Sequence, residues 1–153
     1  MAVAVGKKVS DFVAVSTAGE LRLSAFAGSR LVLYFYPKDN TPGCTQQGAD
    51  FRDRYQQFRA ASCEIVGVSR DSLRTHEGFR ARHEFPFHLI SDPDEALCSA
   101  FGVMKLKNMY GKKVRGIERS TFVIDTDGRL LREWRGLKVP GHVDEVLAFV
   151  QSL

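Results

Sequence analysis

The chain has 153 residues, 44% of them hydrophobic and 26% charged, with a formal net charge of +4; one domain spanning 1–153, with a sizeable core, fits that size and composition. Lys and Arg (22) are scattered among almost as many acids (18), and no helix-turn-helix, zinc-finger or RNP pattern occurs, so nucleic acid is not an expected partner. No apolar run approaches the ~20 residues of a membrane span, and Met1–Phe12 has too short an apolar part for a signal peptide, so no membrane partner and a cytoplasmic address are expected.

In chain order, the first strong element is "RLVLYFY", Arg30–Tyr36, a continuous apolar run that reads as a buried strand ended by Pro37. Cys44, Gly48, Phe51, Tyr55 and Phe58 then fall at alternating steps of four and three, one stripe of a helix running from Cys44 to Ala60. Glu64–Ser69 reads as a second strand and Ser72 to about Arg82 as a second helix. Asp92-Pro93 predicts an N-cap followed by proline at the first helical position, with a short helix to Phe101 and Gly102 as its stop. Ser120–Asp125 reads as a strand, and "DTDGRLLREW" as a hairpin turning at Asp127-Gly128. Val143, Val146, Leu147 and Val150 mark a C-terminal amphipathic helix. The expected fold class is α/β, on the plan of a thioredoxin-like fold: a mixed central sheet with helices on both faces. The βαβ unit is parallel and right-handed, and the late hairpin adds an antiparallel strand.

Three cysteines make no disulfide framework, no CxxC pair and no metal-ligand spacing. Cys44 follows a strand end and opens a helix, where backbone N–H groups and the positive end of the helix dipole favour thiolate over thiol. Its stripe faces the sheet, so a small core residue is the competing reading; Pro42-Gly43 just before it, in a loop, tilts towards chemistry. Cys63 opens the second strand. With parallel strands it lies at the far end of the sheet, about 24 Å of helix away, and a disulfide needs Cα atoms within about 7 Å. Its expected role is structural. Cys98 reads as a partly buried packing residue. His76, His83, His88 and His142 have no metal-ligand spacing; His76 and His83 can share a helix face, in surface or packing roles.

At "PKDNTPGC" the sequence resembles a peroxiredoxin, whose pattern Pro-x-x-x-Thr/Ser-x-x-Cys falls here on Pro37, Thr41 and Cys44. The fuller run "FYPKDNTPGCTQQ" resembles the bacterioferritin comigratory protein, or PrxQ, subfamily. The similarity continues through "GVSRDS", "LISDPDEALCSAFGV", "MYGKKVRGIERSTFVIDTDG" and "EWRGLKVPGHVDEVLAFV", nearly the whole chain. The resemblance implies a thiol-dependent peroxidase that reduces hydrogen peroxide and organic hydroperoxides through a Cys44 sulfenic acid. It implies that the Thr41 hydroxyl bonds the thiolate or the peroxide. The Gly43 and Cys44 N–H groups orient the peroxide, and Pro37 shields the thiolate. Arg119, in "GIERSTF", supplies fixed positive charge. Arg119 has support from the fold reading as well: if its strand runs antiparallel to Leu31–Tyr36, its start lies beside Cys44. Gln47 matches a Glu/Gln position of the family and is expected to hydrogen-bond the arginine or the loop. The thiol chemistry needs no cofactor and no metal.

The chain departs from the pattern at the resolving cysteine. Many members of the subfamily carry one five residues after the first, where this chain has Asp50; others carry it in the following helix, where the equivalent is Arg80. A one-cysteine mechanism follows, with the sulfenate reduced by a thioredoxin- or glutaredoxin-like protein or a small thiol. The alternatives are Cys98 as an unconventional resolving cysteine, a non-catalytic thiol redox sensor on the same fold, and a disulfide reductase, which lacks its CxxC pair here. A monomer or weak dimer is expected, since no long C-terminal arm is seen.

Overall fold

The computed structural model describes residues 3–153. Its main sheet has the order β2-β1-β5-β4-β3-β8-β9. Here β1 is Val13–Ser16, β2 Gly19–Arg22, β3 Arg30–Phe35, β4 Cys63–Ser69, β5 His88–Ser91, β8 Ser120–Ile124 and β9 Leu130–Arg135. A separate two-stranded ribbon consists of β6 (Met104–Met109) and β7 (Lys112–Ile117). β3, β4 and β5 run parallel, β8 runs antiparallel beside β3, and β9 antiparallel beside β8. This is the mixed α/β sheet expected of a thioredoxin-like plan. The β1–β2 hairpin adds an antiparallel edge that its short, half-exposed strands did not announce.

Alternation along β3 divides the core in two. Val32, Tyr34 and Tyr36 face a cluster with Phe51, Phe58, Phe79, Phe85 and Phe87, while Leu31, Leu33 and Phe35 face one with Leu97, Cys98, Phe101 and Phe122. A strand buried on both faces must be apolar throughout, which is why "RLVLYFY" shows no alternation. Helices α1 (Pro42–Asp53), α2 (Tyr55–Ala60), α3 (Leu73–Arg82) and α5 (His142–Gln151) supply the first cluster, and α4 (Ala96–Ala100) the second. Gly48 of α1 is required by this packing, because a Cβ there would sit 2.3 Å from the Phe85 ring.

Three local expectations are corrected. The helix expected from Cys44 to Ala60 starts earlier, at Pro42, and breaks at Arg54, whose φ is −109°. There the Arg54 N–H donates to Phe51 rather than to Asp50, and the Asp50 carbonyl instead accepts from the Arg54 guanidinium at 3.0 Å. That guanidinium also reaches Asp144 on α5. The helix expected from Asp92-Pro93 begins only at Ala96, after Glu95 in a left-handed conformation. Asp92 still caps it from a distance, its carboxylate accepting from Leu97 N–H (3.1 Å) and Cys98 N–H (2.8 Å). Gly102 is the stop, with φ +64°. The hairpin turn is not a two-residue loop at Asp127-Gly128. Gly128 N–H donates to the Asp125 carbonyl, Gly128 takes φ +89°, and the register slips at Val123/Ile124. A turn of this kind with a bulge absorbs the extra residue.

Candidate active site

β3 ends into the loop Pro37–Thr41, and α1 opens at Pro42. Thr41 takes extended backbone as N-cap, and proline at the first helical position fits because the N–H it lacks has no helical acceptor. The first backbone bond of the helix is Thr45 N–H to the Thr41 carbonyl, 2.9 Å. The N–H groups of Gly43 and Cys44 therefore precede the helical ladder. The first turn holds no acid and no side-chain cap. Cys44 lies there, buried at the edge of the aromatic cluster.

Arg119 arrives from the other side. Ser120 pairs with Phe35 in the antiparallel register, so the residue before β8 stands at the end of β3 where Cys44 sits. Its Nη2 donates to Cys44 Sγ at 3.4 Å and its Nη1 to Gln47 Oε1 at 2.6 Å. Gln47 is fully buried, nearly one helical turn beyond Cys44, and its Nε2 has no partner among the described residues. The arginine passes over Gly43, where a Cβ would stand 3.2 Å from Nη2. The guanidinium fork is thus aimed at the cysteine sulfur by one buried amide. Tyr34, fully buried beneath the site, has its phenol held well above the usual range, chiefly by burial.

The sequence-derived residues Cys44, Gly43, Gln47 and Arg119 meet at one point. Thr41 differs from expectation, because its hydroxyl donates to the Lys38 carbonyl at 2.7 Å, not to the sulfur. That bond closes the loop and leaves the hydroxyl oxygen as an acceptor. Pro37 is half-buried at the loop's start. Cys63 pairs with Arg30 at the far end of the sheet, and burial pushes its thiol up to about 12. Cys98 is fully buried rather than partly so, and lies across the sheet from Cys44. Burial, then the Asp92 carboxylate, raise its thiol well above the usual range.

One buried group was missed. His76, read as a surface or packing residue, has no exposure, and its Nδ1 lies 2.6 Å from Asp39 Oδ2. Its Nε2 is 2.9 Å from the Ile90 carbonyl, and Tyr36 donates to the other Asp39 oxygen at 2.6 Å. The ring is thus held on both sides, by the Asp39 carboxylate at Nδ1 and by the Ile90 carbonyl at Nε2. The loop that carries Thr41 is tied by this pair to α3. Its signal in the sequence was only a histidine on the apolar side of a helix. Asp71 completes a group whose ligand atoms lie within 4.8 Å of one another. Asp39 Oδ1 accepts from Tyr36, and Asp71 Oδ2 accepts from both Ser69 and the Asp39 N–H.

Residues 5–132 match the model of the AhpC/TSA family. The chain is 46% identical to peroxiredoxin Bcp of Bacillus subtilis over 154 aligned positions, covering 100% of this chain and 98% of that one. Among solved structures, a cysteine-to-serine mutant of Xylella fastidiosa PrxQ superposes with a TM-score of 0.94 at 41% identity, over 99% of this chain and 98% of that one. The bacterioferritin comigratory protein of Xanthomonas campestris, studied for alkyl peroxide reduction in trapped intermediate and ligand complexes, gives a TM-score of 0.87 at 50% identity, over 92% and 90% of the two chains. The Xanthomonas protein has also been solved with serine at either of two cysteines.

Proposed function

The chain belongs to the AhpC/TSA family as a peroxiredoxin of the Bcp/PrxQ kind, and from that premise we propose that Cys44 is the residue on which it reduces peroxides. The observation that carries this reading is the Arg119 guanidinium 3.4 Å from Cys44 Sγ, at a helix N-terminus whose first amides no side chain has filled. The thiolate attacks the terminal peroxide oxygen. An S–O bond forms, the O–O bond breaks, and two electrons pass from sulfur to the leaving oxygen. That oxygen takes a proton and departs as water or an alcohol, leaving Cys44 as sulfenic acid. Negative charge moves from sulfur to the two oxygens during the step. The Gly43 and Cys44 N–H groups and the arginine fork are fixed donors for that charge before it arrives. The Thr41 oxygen, free to accept, can take a hydrogen bond from the peroxide and orient it. Pro37 covers the approach.

The return half needs a thiol from outside. Asp50 bonds Gln46 and Arg80 donates to the Phe87 carbonyl, so both positions used for a resolving cysteine elsewhere in the subfamily hold structural side chains. An external thiolate attacks the Cys44 sulfur and expels the sulfenic oxygen as water, giving a mixed disulfide. A second thiol then releases Cys44. The reductant is a thioredoxin- or glutaredoxin-like protein or a small thiol. Three free cysteines are in keeping with a reducing compartment, the cytoplasm, and among the described residues no helix is long and apolar enough to cross a membrane. A single domain acting as monomer or weak dimer is part of the reading.

Stopped-flow oxidation by hydrogen peroxide, followed by addition of one thiol at a time, tests this. Fast loss of one thiol, with turnover restored by an external thiol alone, is the expected result. An intramolecular Cys44–Cys98 disulfide seen by mass spectrometry replaces the external route. Slow oxidation without turnover leaves a redox sensor.

A further inference from the structure

We propose that the β6–β7 ribbon seats this protein on anionic phospholipid surfaces. Residues 104–117 hold five of the chain's 22 Lys and Arg and none of its 18 acids. The same segment carries four of the eight large hydrophobic side chains that are exposed among the described residues: Leu106 (70%), Met109 (49%), Tyr110 (99%) and Val114 (43%). Among the described residues the ribbon pairs with no other strand.

Its register decides what could cover it. Leu106 pairs with Arg115, while Lys107 pairs with Val114 and Met109 with Lys112. Paired residues share a face and neighbours alternate. Leu106 therefore projects from one face, Met109 and Val114 from the other, and Tyr110 from the turn. A protein groove or a nucleic-acid strand covers one face of a ribbon. A lipid interface surrounds a tip, accepting apolar and aromatic side chains at its centre and cations around them. Lys105, Lys112 and Lys113 are the exposed cations available for anionic headgroups, since Arg115 is paired with Glu95 and Lys107 donates to the Ile117 carbonyl. The absence of a spanning segment does not bear on a peripheral contact of this kind.

The ribbon is also placed to matter. β7 ends at Ile117, two residues before Arg119. Lys107 is near enough for the Arg119 charge to add to burial in lowering its pKa. A seated ribbon holds the Cys44 end of the sheet at the lipid surface, where hydroperoxides of acyl chains form. That last step rests on the peroxidase reading, whereas the binding itself does not.

Co-sedimentation with vesicles of phosphatidylglycerol and phosphatidylcholine, against phosphatidylcholine alone, tests the proposal. The full chain is expected to bind the anionic vesicles only. Met109→Ser/Tyr110→Ser and Lys112→Glu/Lys113→Glu should each weaken binding at least tenfold, with hydrogen peroxide turnover in solution within twofold of the parent. Absence of binding to anionic vesicles overturns the proposal. So does loss in the lysine variant with none in the tip variant, which is a surface ion-exchange contact. Tighter binding to single-stranded RNA or to an acidic polypeptide, abolished by the same variants, also overturns it.

Discussion

Two cysteines stand third in their helices, Cys44 in α1 (Pro42–Asp53) and Cys98 in α4 (Ala96–Ala100). Both are buried, on opposite faces of one sheet. Their surroundings differ in what occupies the helix N-terminus. At α4 the Asp92 carboxylate takes the N–H groups of Leu97 and Cys98 and places a negative charge beside the sulfur. At α1 no acid enters the first turn, and the nearest charged donor is Arg119. A helix terminus offers donors and partial positive charge, and whether a thiol benefits depends on which group reaches them first. Position in a helix therefore does not distinguish these two cysteines, whereas the sign of the nearest charge does.

The largest effect should come from removing each sulfur in turn. Cys44→Ser is expected to abolish peroxide reduction, and Cys98→Ser to keep it within about threefold, the margin left for a packing change at a site that touches no substrate. Turnover surviving in Cys44→Ser, measured by peroxide consumption, breaks the comparison outright. Next comes the charge itself. Arg119→Ala should lower the second-order rate with hydrogen peroxide by about 10²–10³-fold, the scale of losing one preorganised donor from a reacting centre. Arg119→Lys should recover only part, because an ammonium cannot bond Gln47 and the sulfur through one planar fork. Unchanged stopped-flow kinetics in Arg119→Ala would remove the arginine from the mechanism.

Most of this site could be read from the sequence because its parts are local or sit at the end of a strongly patterned strand. Pro37, Thr41, Gly43, Cys44 and Gln47 fall within one strand–loop–helix step, and Arg119 opens "STFVI", whose apolar run gave the strand away. What stayed hidden depends on partners far along the chain. His76 meets Asp39 across 37 positions, and nothing near either residue signals a buried pair. Breaking it with His76→Ala should leave one buried Asp39 oxygen without its partner, at a cost of about 1–3 kcal/mol. At the break, Arg54 meets Asp144 from α5, 90 positions on. The β6–β7 ribbon escaped because its strands bury almost nothing, so no hydrophobic period marks them. Asp92 was recognised as a cap but given the wrong helix start, since its carboxylate reaches across a turn to amides five and six residues on.

Asp92→Asn is the smallest and most discriminating change. The neutral amide has one acceptor oxygen where the carboxylate has two, so one of the Leu97 and Cys98 N–H bonds is lost. A cost of about 1 kcal/mol follows, a fall in Tm of about 2–4 °C for a chain of this size. The charge beside Cys98 is also lost while its burial stays, so its pKa should drop part of the way towards the ordinary 9.0. In the parent, the folded-state pKa of Cys98 lies above the unfolded value. The stability it contributes is full below about pH 9 and is lost as pH rises, because the unfolded chain gives up its proton first. Asp92→Asn should therefore be less stable at neutral pH yet lose less stability in total as pH rises above 9, as followed by denaturant titration across that range. Alkylation of Cys98 by iodoacetamide at pH 9 should quicken severalfold but remain behind that of Cys44, with peroxide turnover unchanged. If Cys98 reacts no faster in the variant, burial alone separates the two cysteines and the charge at the helix terminus does not.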